Sequence, residues 1–266
     1  MTARLALVTG ASSGIGAALA RLYASHGYDL AITARRGERL DAIAEEIRFA
    51  SGVEVLPLPA DLANPASPRM LVDQIDAAGR HVDALINNAG YGLPGAFGER
   101  AFSEEQAFIQ VLVTSVCALT HAVLPGMRAR RFGRILNVAS LAGLAPGGPG
   151  SAVYGAAKAF VVQFSQSVHL ETRSEGVHVS ALCPGFTYSE FHDVNGARAS
   201  VEERIPTWMW MGADEVAAAG YEAAEANRPI CVPGAANKGI AALTKLLPAD
   251  WGMALMARQA WRGRNI

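Results

Sequence analysis

The sequence predicts an α/β fold with a doubly wound parallel sheet. Short apolar runs alternate along the chain with longer segments whose apolar residues recur at helical spacing, and no internal repeat interrupts this order. Alternation of this kind packs helices on both faces of a parallel sheet. A ligand of such a fold lies at the carboxyl ends of the strands.

The expected elements follow one another without a linker, so residues 1–266 are expected to form a single domain. Beyond the last strand, residues 238–266 keep helical spacing and predict a C-terminal helical extension. We expect strands over residues 4–9, 29–34, 53–58, 83–87, 133–139, 177–183 and 229–232, and helices over residues 14–26, 37–51, 66–79, 103–130, 153–175 and 213–226.

Composition excludes several classes of protein. The net charge of −1 argues against a nucleic-acid partner, and no apolar run of about 20 residues predicts a membrane span. The first strand begins so near Met1 that no signal peptide is expected. Cys117, Cys183 and Cys231 are widely spaced, which suits a reducing, cytoplasmic compartment and, with six scattered histidines, predicts no metal site.

A glycine-rich turn joins the first strand to the first helix. Residues 9–16 read TGASSGIG. Glycines let the backbone approach a pyrophosphate, and a helix N-terminus offers N–H groups to it. A turn with no ligand is the alternative. The context predicts a dinucleotide-binding site that includes Gly10, Ser12, Ser13, Gly14 and Ile15.

The second strand ends in Arg35 and Arg36. An NAD-binding unit carries an acidic residue at about this distance from the glycines, where it binds a ribose hydroxyl. Arginine instead pairs with a 2′-phosphate. Arg35 therefore favours NADP(H) over NAD(H), with a solvated arginine pair at a helix start as the alternative.

Tyr154 and Lys158 lie four residues apart in a segment that is expected to be helical. Side chains at this spacing share one helix face, and a nearby ammonium lowers the pKa of a phenol. Such a pair can act as a general acid/base in a carbonyl/alcohol reaction. On its own the pair is also compatible with an ordinary helix surface.

Motifs in a fixed order extend these signals over roughly residues 3–191. With them the chain resembles the short-chain dehydrogenase/reductase family, whose fold is Rossmann-type. The motifs are TGxxxGxG from Thr9, Asp61 after the third strand, NNAG over residues 87–90, Ser140 after the fifth strand, YxxxK from Tyr154, and Pro184-Gly185.

The resemblance implies a role for each matching residue. Tyr154 exchanges a proton with the substrate oxygen, Lys158 lowers its pKa and holds the nicotinamide ribose, and Ser140 orients the substrate oxygen. Asp61 contacts adenine. The resemblance also places further residues against the cofactor, namely Asn88, Ala89, Gly90, Pro184, Gly185 and Thr187.

One position departs from the family pattern. Leu112 stands where the family usually has an asparagine that helps hold a water between the lysine and solvent. A leucine side chain neither donates nor accepts a hydrogen bond. Backbone carbonyls, Thr114 or Ser115 are possible substitutes.

Two segments are expected to shape the substrate side. Residues 185–212 predict a lid, in which Trp208 to Met211 suit a lipophilic pocket wall or ordinary core packing. The tail, residues 238–266, is expected to cover the substrate, pack on a neighbouring subunit or lie on a membrane.

Two functions remain open at this point. The first is an NADP(H)-dependent oxidoreductase acting on a small, lipophilic carbonyl compound or secondary alcohol. The family resemblance also implies a homodimer or homotetramer formed through the helices at 103–130 and 153–175. The alternative is a cofactor-binding regulatory or scaffold protein with little turnover, which Leu112 favours.

Overall fold

A computed structural model describes residues 3–93, 95–189, 205–248, 250–254 and 257. Within them, seven parallel strands form one sheet in the order β3-β2-β1-β4-β5-β6-β7. The order reverses beside β1, so the carboxyl ends of β1 and β4 flank a crevice of the kind that binds ligands in open α/β sheets. The strands are β1 Leu5–Thr9, β2 Asp29–Thr33, β3 Val55–Pro57, β4 Ala84–Asn87, β5 Gly133–Val138, β6 Val177–Leu182 and β7 Ile230–Cys231.

Helices cover both faces of this sheet, as the doubly wound prediction requires. The described helices are α1 Gly14–Ser25, α2 Gly37–Ser51, α3 Ser67–Ala77, α4 Phe102–Ile109, α5 Ser115–Arg130, α6 Ala152–Thr172, α7 Ala213–Glu225 and α8 Ala235–Leu246. Short 3-10 helices add Leu141–Gly143 and Thr207–Met209, which were not predicted.

The period of two along β1 separates two cores. Ala6 and Val8 point into a cluster shared with α1, α2 and α7, whereas Leu5 and Leu7 point into a cluster shared with α3, α5 and α6. Because both faces of the strand are buried, β1 reads as a continuous apolar run. The predicted fold class is confirmed, and most strands are only one or two residues shorter than expected.

The predicted single helix over 103–130 is wrong in one respect. A π-helix, Gln110–Thr114, separates α4 from α5 and contains Leu112. The N–H of Ser115 bonds the carbonyl of Gln110, so the register slips by one residue. A slip of this kind reorients the side chains that follow it.

The helical stretch Phe102–Arg130 also has the length and apolarity that crossing a membrane requires. Its buried residues Phe108, Leu112, Leu119 and Met127 pack within the core instead. Core helices of globular domains meet the same criterion, so the stretch is weak evidence for a membrane span.

Candidate active site

A cavity of about 880 Å³ opens at the carboxyl ends of the strands. The structure brings every predicted site residue to its wall. These are Gly10, Ser12, Ser13, Gly14, Ile15, Arg35, Asp61, Asn88, Ala89, Gly90, Ser140, Tyr154, Lys158, Pro184, Gly185 and Thr187. The volume lies in the range of small-molecule sites.

The glycine-rich turn is fixed to the end of β4. Gly10 has φ +66°, and a Cβ there would lie 2.8 Å from Asn88 Nδ2, so a larger residue is excluded twice. Asn88 Nδ2 donates to the carbonyls of Thr9 (2.9 Å) and Gly10 (3.2 Å), and the N–H groups of Asn88 and Ala89 donate to Thr9 Oγ1. Asn88 thereby supports the turn from behind.

Two arginines line the cavity beside this turn. Arg35 is exposed, with Cζ 6.0 Å from the ring centroid of Tyr91. Arg36 Nη2 donates to Ser12 Oγ at 3.4 Å. The sequence analysis predicted Arg35 alone as a cofactor-binding residue. Arg36 was not predicted, although its position directly after Arg35 could have indicated it. The two side chains make this end of the cavity basic.

Ser140 follows β5 and is the N-cap of the 3-10 helix Leu141–Gly143. Its Oγ accepts the N–H of Ala142 at 3.1 Å. A Cβ at Gly143 would lie 2.6 Å from the carbonyl carbon of Lys158, so this turn packs directly on α6. This packing holds Ser140 close to the residues of α6.

Tyr154 lies in the first turn of α6 and hydrogen-bonds with Ser140 through their side chains. Burial raises the pKa of the Tyr154 phenol, and the hydrogen bond with Ser140 lowers it by less. The net direction is upward, so at neutral pH the phenol is protonated. In this state it is a proton donor.

Lys158 is one turn further along α6 and only 6% exposed. Its Nζ donates to the carbonyl of Val138 at 2.7 Å and lies 5.9 Å from the ring centroid of Tyr154. Burial lowers its pKa from 10.5 to about 8. The hydrogen bond to Val138 therefore fixes the position of the Lys158 ammonium, and desolvation disfavours its charged form.

Leu112 lies beside Tyr154 and near Lys158, at the position that the motif register predicted. It is 1% exposed and packs with Phe108, Ala157 and Tyr154. A Cβ at Gly90 would be 2.9 Å from Leu112 Cδ2 and 3.9 Å from Lys158 Nζ. Ser115, one of the expected substitutes, donates its Oγ to the carbonyl of Val111 within the helix.

The lid is described in part, because residues 190–204 lie outside the described residues. Phe186 lines the cavity, whereas Trp208, Trp210 and Met211 are not among the described lining residues. Of the two interpretations left open for these residues, a pocket wall or ordinary packing, the described lining favours packing. Trp210 packs behind the wall, with ring centroids 5.6 Å from Phe186 and 4.8 Å from Tyr188, and Trp208 is exposed.

The C-terminal extension begins with α8, and Ile240 of this helix lines the cavity. Residues 250–254 are helical, and a Cβ at Gly252 would lie 2.7 Å from Pro146 Cγ in the loop before α6. The rest of the predicted C-terminal extension, including residues 258–266, lies outside the described part. No local signal marked Ile240 as a site residue.

Among the described residues, no group of three or more His, Cys, Asp and Glu side chains is placed to hold a metal ion. The reactive and charged groups that line the cavity include the phenol of Tyr154, the hydroxyl of Ser140, the ammonium of Lys158 and the guanidinium groups of Arg35 and Arg36. Together with a strand-end cavity and a glycine turn, these groups define an oxidoreductase-type nucleotide site.

Comparison with known proteins places the chain in a family. A model of the short chain dehydrogenase family matches residues 4–199. The NADP-dependent 3-hydroxy acid dehydrogenase YdfG of Salmonella typhi is 37% identical over 182 residues, which cover 68% of this chain and 71% of the relative. This chain therefore belongs to the short chain dehydrogenase family and is an oxidoreductase of that class.

Two solved structures are similar over nearly the whole chain. A short-chain dehydrogenase from Sphingobium yanoikuyae in complex with NADPH is 33% identical, with a TM-score of 0.78 and coverage of 99% of this chain and 96% of that one. The bulky-bulky ketone specific alcohol dehydrogenase of Comamonas testosteroni is 27% identical, with a TM-score of 0.76 and coverage of 100% and 96%.

Proposed function

We propose that this protein is an NADP(H)-dependent oxidoreductase that interconverts a lipophilic carbonyl compound and its alcohol. The observation that carries the proposal is one cavity with Ser140, Tyr154 and Lys158 at one end and Arg35 and Arg36 at the other. The bound cofactor supplies the hydride. The protein supplies position, a proton and electrostatics.

In this proposal Tyr154 gives its proton to the substrate oxygen during reduction. Ser140 hydrogen-bonds the same oxygen, and its own orientation is fixed by the N–H of Ala142. Lys158, anchored on the carbonyl of Val138, holds the nicotinamide ribose and favours the phenolate as it forms. The raised pKa of Tyr154 keeps the phenol protonated at neutral pH, so it can donate a proton when a carbonyl is reduced.

The remaining predicted residues fit the dinucleotide. Gly10, Ser12, Ser13, Gly14 and Ile15 surround the pyrophosphate at the start of α1, where N–H groups and the helix dipole favour an anion. Asp61 and the segment Asn88–Gly90 take the adenosine half, and Pro184, Gly185 and Thr187 take the nicotinamide half. The NADPH complex of the Sphingobium relative and the NADP dependence of the Salmonella relative support this choice.

Lipophilicity of the substrate is inferred from the wall near Tyr154. Leu141, Ala145, Phe186 and Ile240 line the cavity on this side and offer apolar surface. Apolar lining with a few placed polar groups is typical of small-molecule sites. The specificity of the Comamonas alcohol dehydrogenase for bulky-bulky ketones supports a ketone with large substituents as the substrate.

The proposal is tested by measuring NADPH oxidation by the purified protein. A panel of hydrophobic ketones and aldehydes serves as substrates, and NADH is tested in parallel. We expect turnover with NADPH preferred and rates that rise with the apolar size of the substrate. Tight binding of NADPH with no turnover on any panel member would contradict the catalytic proposal and favour the regulatory alternative.

Replacing Arg35 with Asp is expected to shift the ratio of NADPH to NADH affinity by about 10- to 100-fold, since charge-assisted hydrogen bonds contribute about 1.5–3 kcal/mol. Fluorescence titration of both cofactors measures the ratio. Arg39→Asp is the control, because it makes the same charge change one turn along α2 without lining the cavity. An unchanged ratio in Arg35→Asp would remove Arg35 as the selector.

The alternative, a cofactor-binding regulatory or scaffold protein, is favoured by Leu112 alone. We expect Leu112→Asn to raise kcat about tenfold if a missing proton path limits turnover, with a loss of about 1–3 kcal/mol in stability from burying the amide. Val113→Asn introduces the same group at the next position. Equal kcat in wild type and Leu112→Asn would make the departure irrelevant to catalysis.

A homodimer or homotetramer through the helices at 103–130 and 153–175 is part of the proposal. Phe102, Ile109, Phe160 and Leu170 are exposed on these helices, and apolar surface of this kind marks interfaces. Light scattering of the purified chain measures the mass, and a monomer at micromolar concentration would oppose this part.

The single-domain organisation of residues 1–266, with a lid at 185–212 and a tail at 238–266, also stays a prediction. So does a cytoplasmic location, which the free thiols of Cys117, Cys183 and Cys231 support. Limited proteolysis checks the first, since a single domain resists cleavage except in exposed loops. Fractionation of the source cells checks the second.

A further inference from the structure

Asn237 is a buried amide in the first turn of α8, directly behind the turn formed by residues 184–187. It is 2% exposed. Its Nδ2 donates to the carbonyl of Pro233 at 2.9 Å and lies 3.5 Å from Met211 Sδ. Both of these atoms are acceptors, so the amide orientation is determined and Oδ1 faces the other way.

The amide lies against Gly185. A Cβ at Gly185 would be 2.4 Å from Asn237 Oδ1 and 2.8 Å from Cγ. The backbone of the 184–187 turn therefore packs against the planar amide of Asn237, and no side chain fits between them. A tetrahedral branched carbon in place of the planar amide would push the turn toward the cavity.

The same amide contacts the segment that is paired with this turn. Met211 N donates to the carbonyl of Phe186 at 3.0 Å, Tyr188 N donates to the carbonyl of Met211 at 3.0 Å, and Thr187 Oγ1 donates to the carbonyl of Gly185 at 3.2 Å. Asn237 touches Gly185 on one side and Met211 on the other. It thus joins the turn, the Met211 segment and α8 at a single point.

Stability alone does not account for an asparagine here. Oδ1 is buried and has no hydrogen-bond partner among the described residues. A buried polar atom in that state costs about 1–3 kcal/mol, and an apolar residue of similar volume avoids the cost. The contact with the cavity-lining turn gives a reason for the residue that the folded core does not.

We propose that Asn237 is a positioning residue that sets the Pro184–Thr187 turn for the nicotinamide half of the cofactor. The inference rests on the proposed function, because it assigns that turn to the nicotinamide. Asn237 acts through Gly185 and Met211 rather than by contact with the cofactor. A displacement of about 1 Å at such a place can lower turnover by about 100-fold.

Two variants change Asn237 in different ways. Asn237→Leu keeps the volume and removes the planar amide, whereas Asn237→Ala removes the support. The control is Lys238→Ala, an exposed neighbour on the same helix. Calorimetry with NADPH and with adenosine 2′,5′-bisphosphate, which lacks the nicotinamide, separates the two halves of the site.

We expect both variants to bind the bisphosphate as wild type does, and to bind NADPH about tenfold more weakly with a lower kcat. Lys238→Ala should match wild type with both ligands. Unchanged NADPH affinity, or an equal loss for both ligands, would overturn the positioning role. If wild type binds neither ligand, the proposed function itself fails, and the role of Asn237 fails with it.

Discussion

Replacing Tyr154 with phenylalanine is expected to lower kcat by about 100- to 10,000-fold, which is the range for loss of a general acid/base. NADPH affinity should stay near the wild-type value, because the ring and its packing with Phe108 and Leu112 are kept. Stopped-flow measurement of a single turnover, with cofactor titration beside it, checks both parts.

Tyr23→Phe is the matched control for this change. Tyr23 is fully buried between α1 and α7, and its hydroxyl has no partner among the described residues. Removing that hydroxyl should leave turnover unchanged. Wild-type rates in Tyr154→Phe would exclude the phenol as the proton donor, and a similar loss in Tyr23→Phe would point to a general effect on folding.

A pH profile sharpens the same test. Because burial raises the pKa of Tyr154, alcohol oxidation, which needs the phenolate, should increase toward alkaline pH, whereas carbonyl reduction should fall there. Ser140→Ala removes the hydrogen bond that lowers this pKa, so the alkaline rise should move to higher pH. An identical profile in Ser140→Ala would mean that another group controls the rate.

Replacing Lys158 with methionine is expected to change how stability depends on pH. Burial lowers the pKa of Lys158 from 10.5 to about 8, which corresponds to about 3 kcal/mol. Below about pH 8 the buried ammonium opposes folding in full. Between pH 8 and 10.5 the unfolded chain keeps the proton that the folded chain has lost, so stability rises with pH.

The free energy of unfolding of wild type should therefore increase by about 3 kcal/mol relative to Lys158→Met between pH 7 and pH 11. Near neutral pH the gain from removing the charge is offset by the lost bond to the carbonyl of Val138. Urea unfolding without added cofactor, at both pH values, measures the difference. Turnover should be lost in the variant at every pH.

Lys245→Met is the control, since Lys245 is exposed near the end of α8. Its stability should follow wild type across the pH range. If Lys158→Met also follows wild type, the lysine is not a desolvated charge, and the fixed ammonium in the proposed mechanism loses its physical basis.

Local rules were sufficient for much of this site. Tyr154 and Lys158 share a helix face because they are four residues apart, and both reach the cavity. The glycine turn is specified by its own sequence, because Gly10 needs a positive φ that other residues rarely adopt. The strand–helix alternation alone implied that these segments meet at one end of a parallel sheet.

Other features depend on packing between distant segments. Ile240 lines the cavity and Asn237 lies behind Gly185, both on α8 and about 80 residues beyond Tyr154 in the chain, so no local pattern indicates them. The π-helix at Gln110–Thr114 looks like ordinary helix in sequence, because its one-residue slip depends on how α4 and α5 fit the core. Trp210 appeared suited to the pocket wall, but its stacking with Tyr188 places it behind Phe186.

The sequence by itself determined the fold class, the dinucleotide turn and the Tyr154–Lys158 pair, because each follows from backbone geometry over a few residues. The tertiary structure alone decided which further side chains complete the cavity and how far burial shifts the pKa values of Tyr154 and Lys158. Desolvation depends on every segment packed around a group, and those segments come together only when the chain folds.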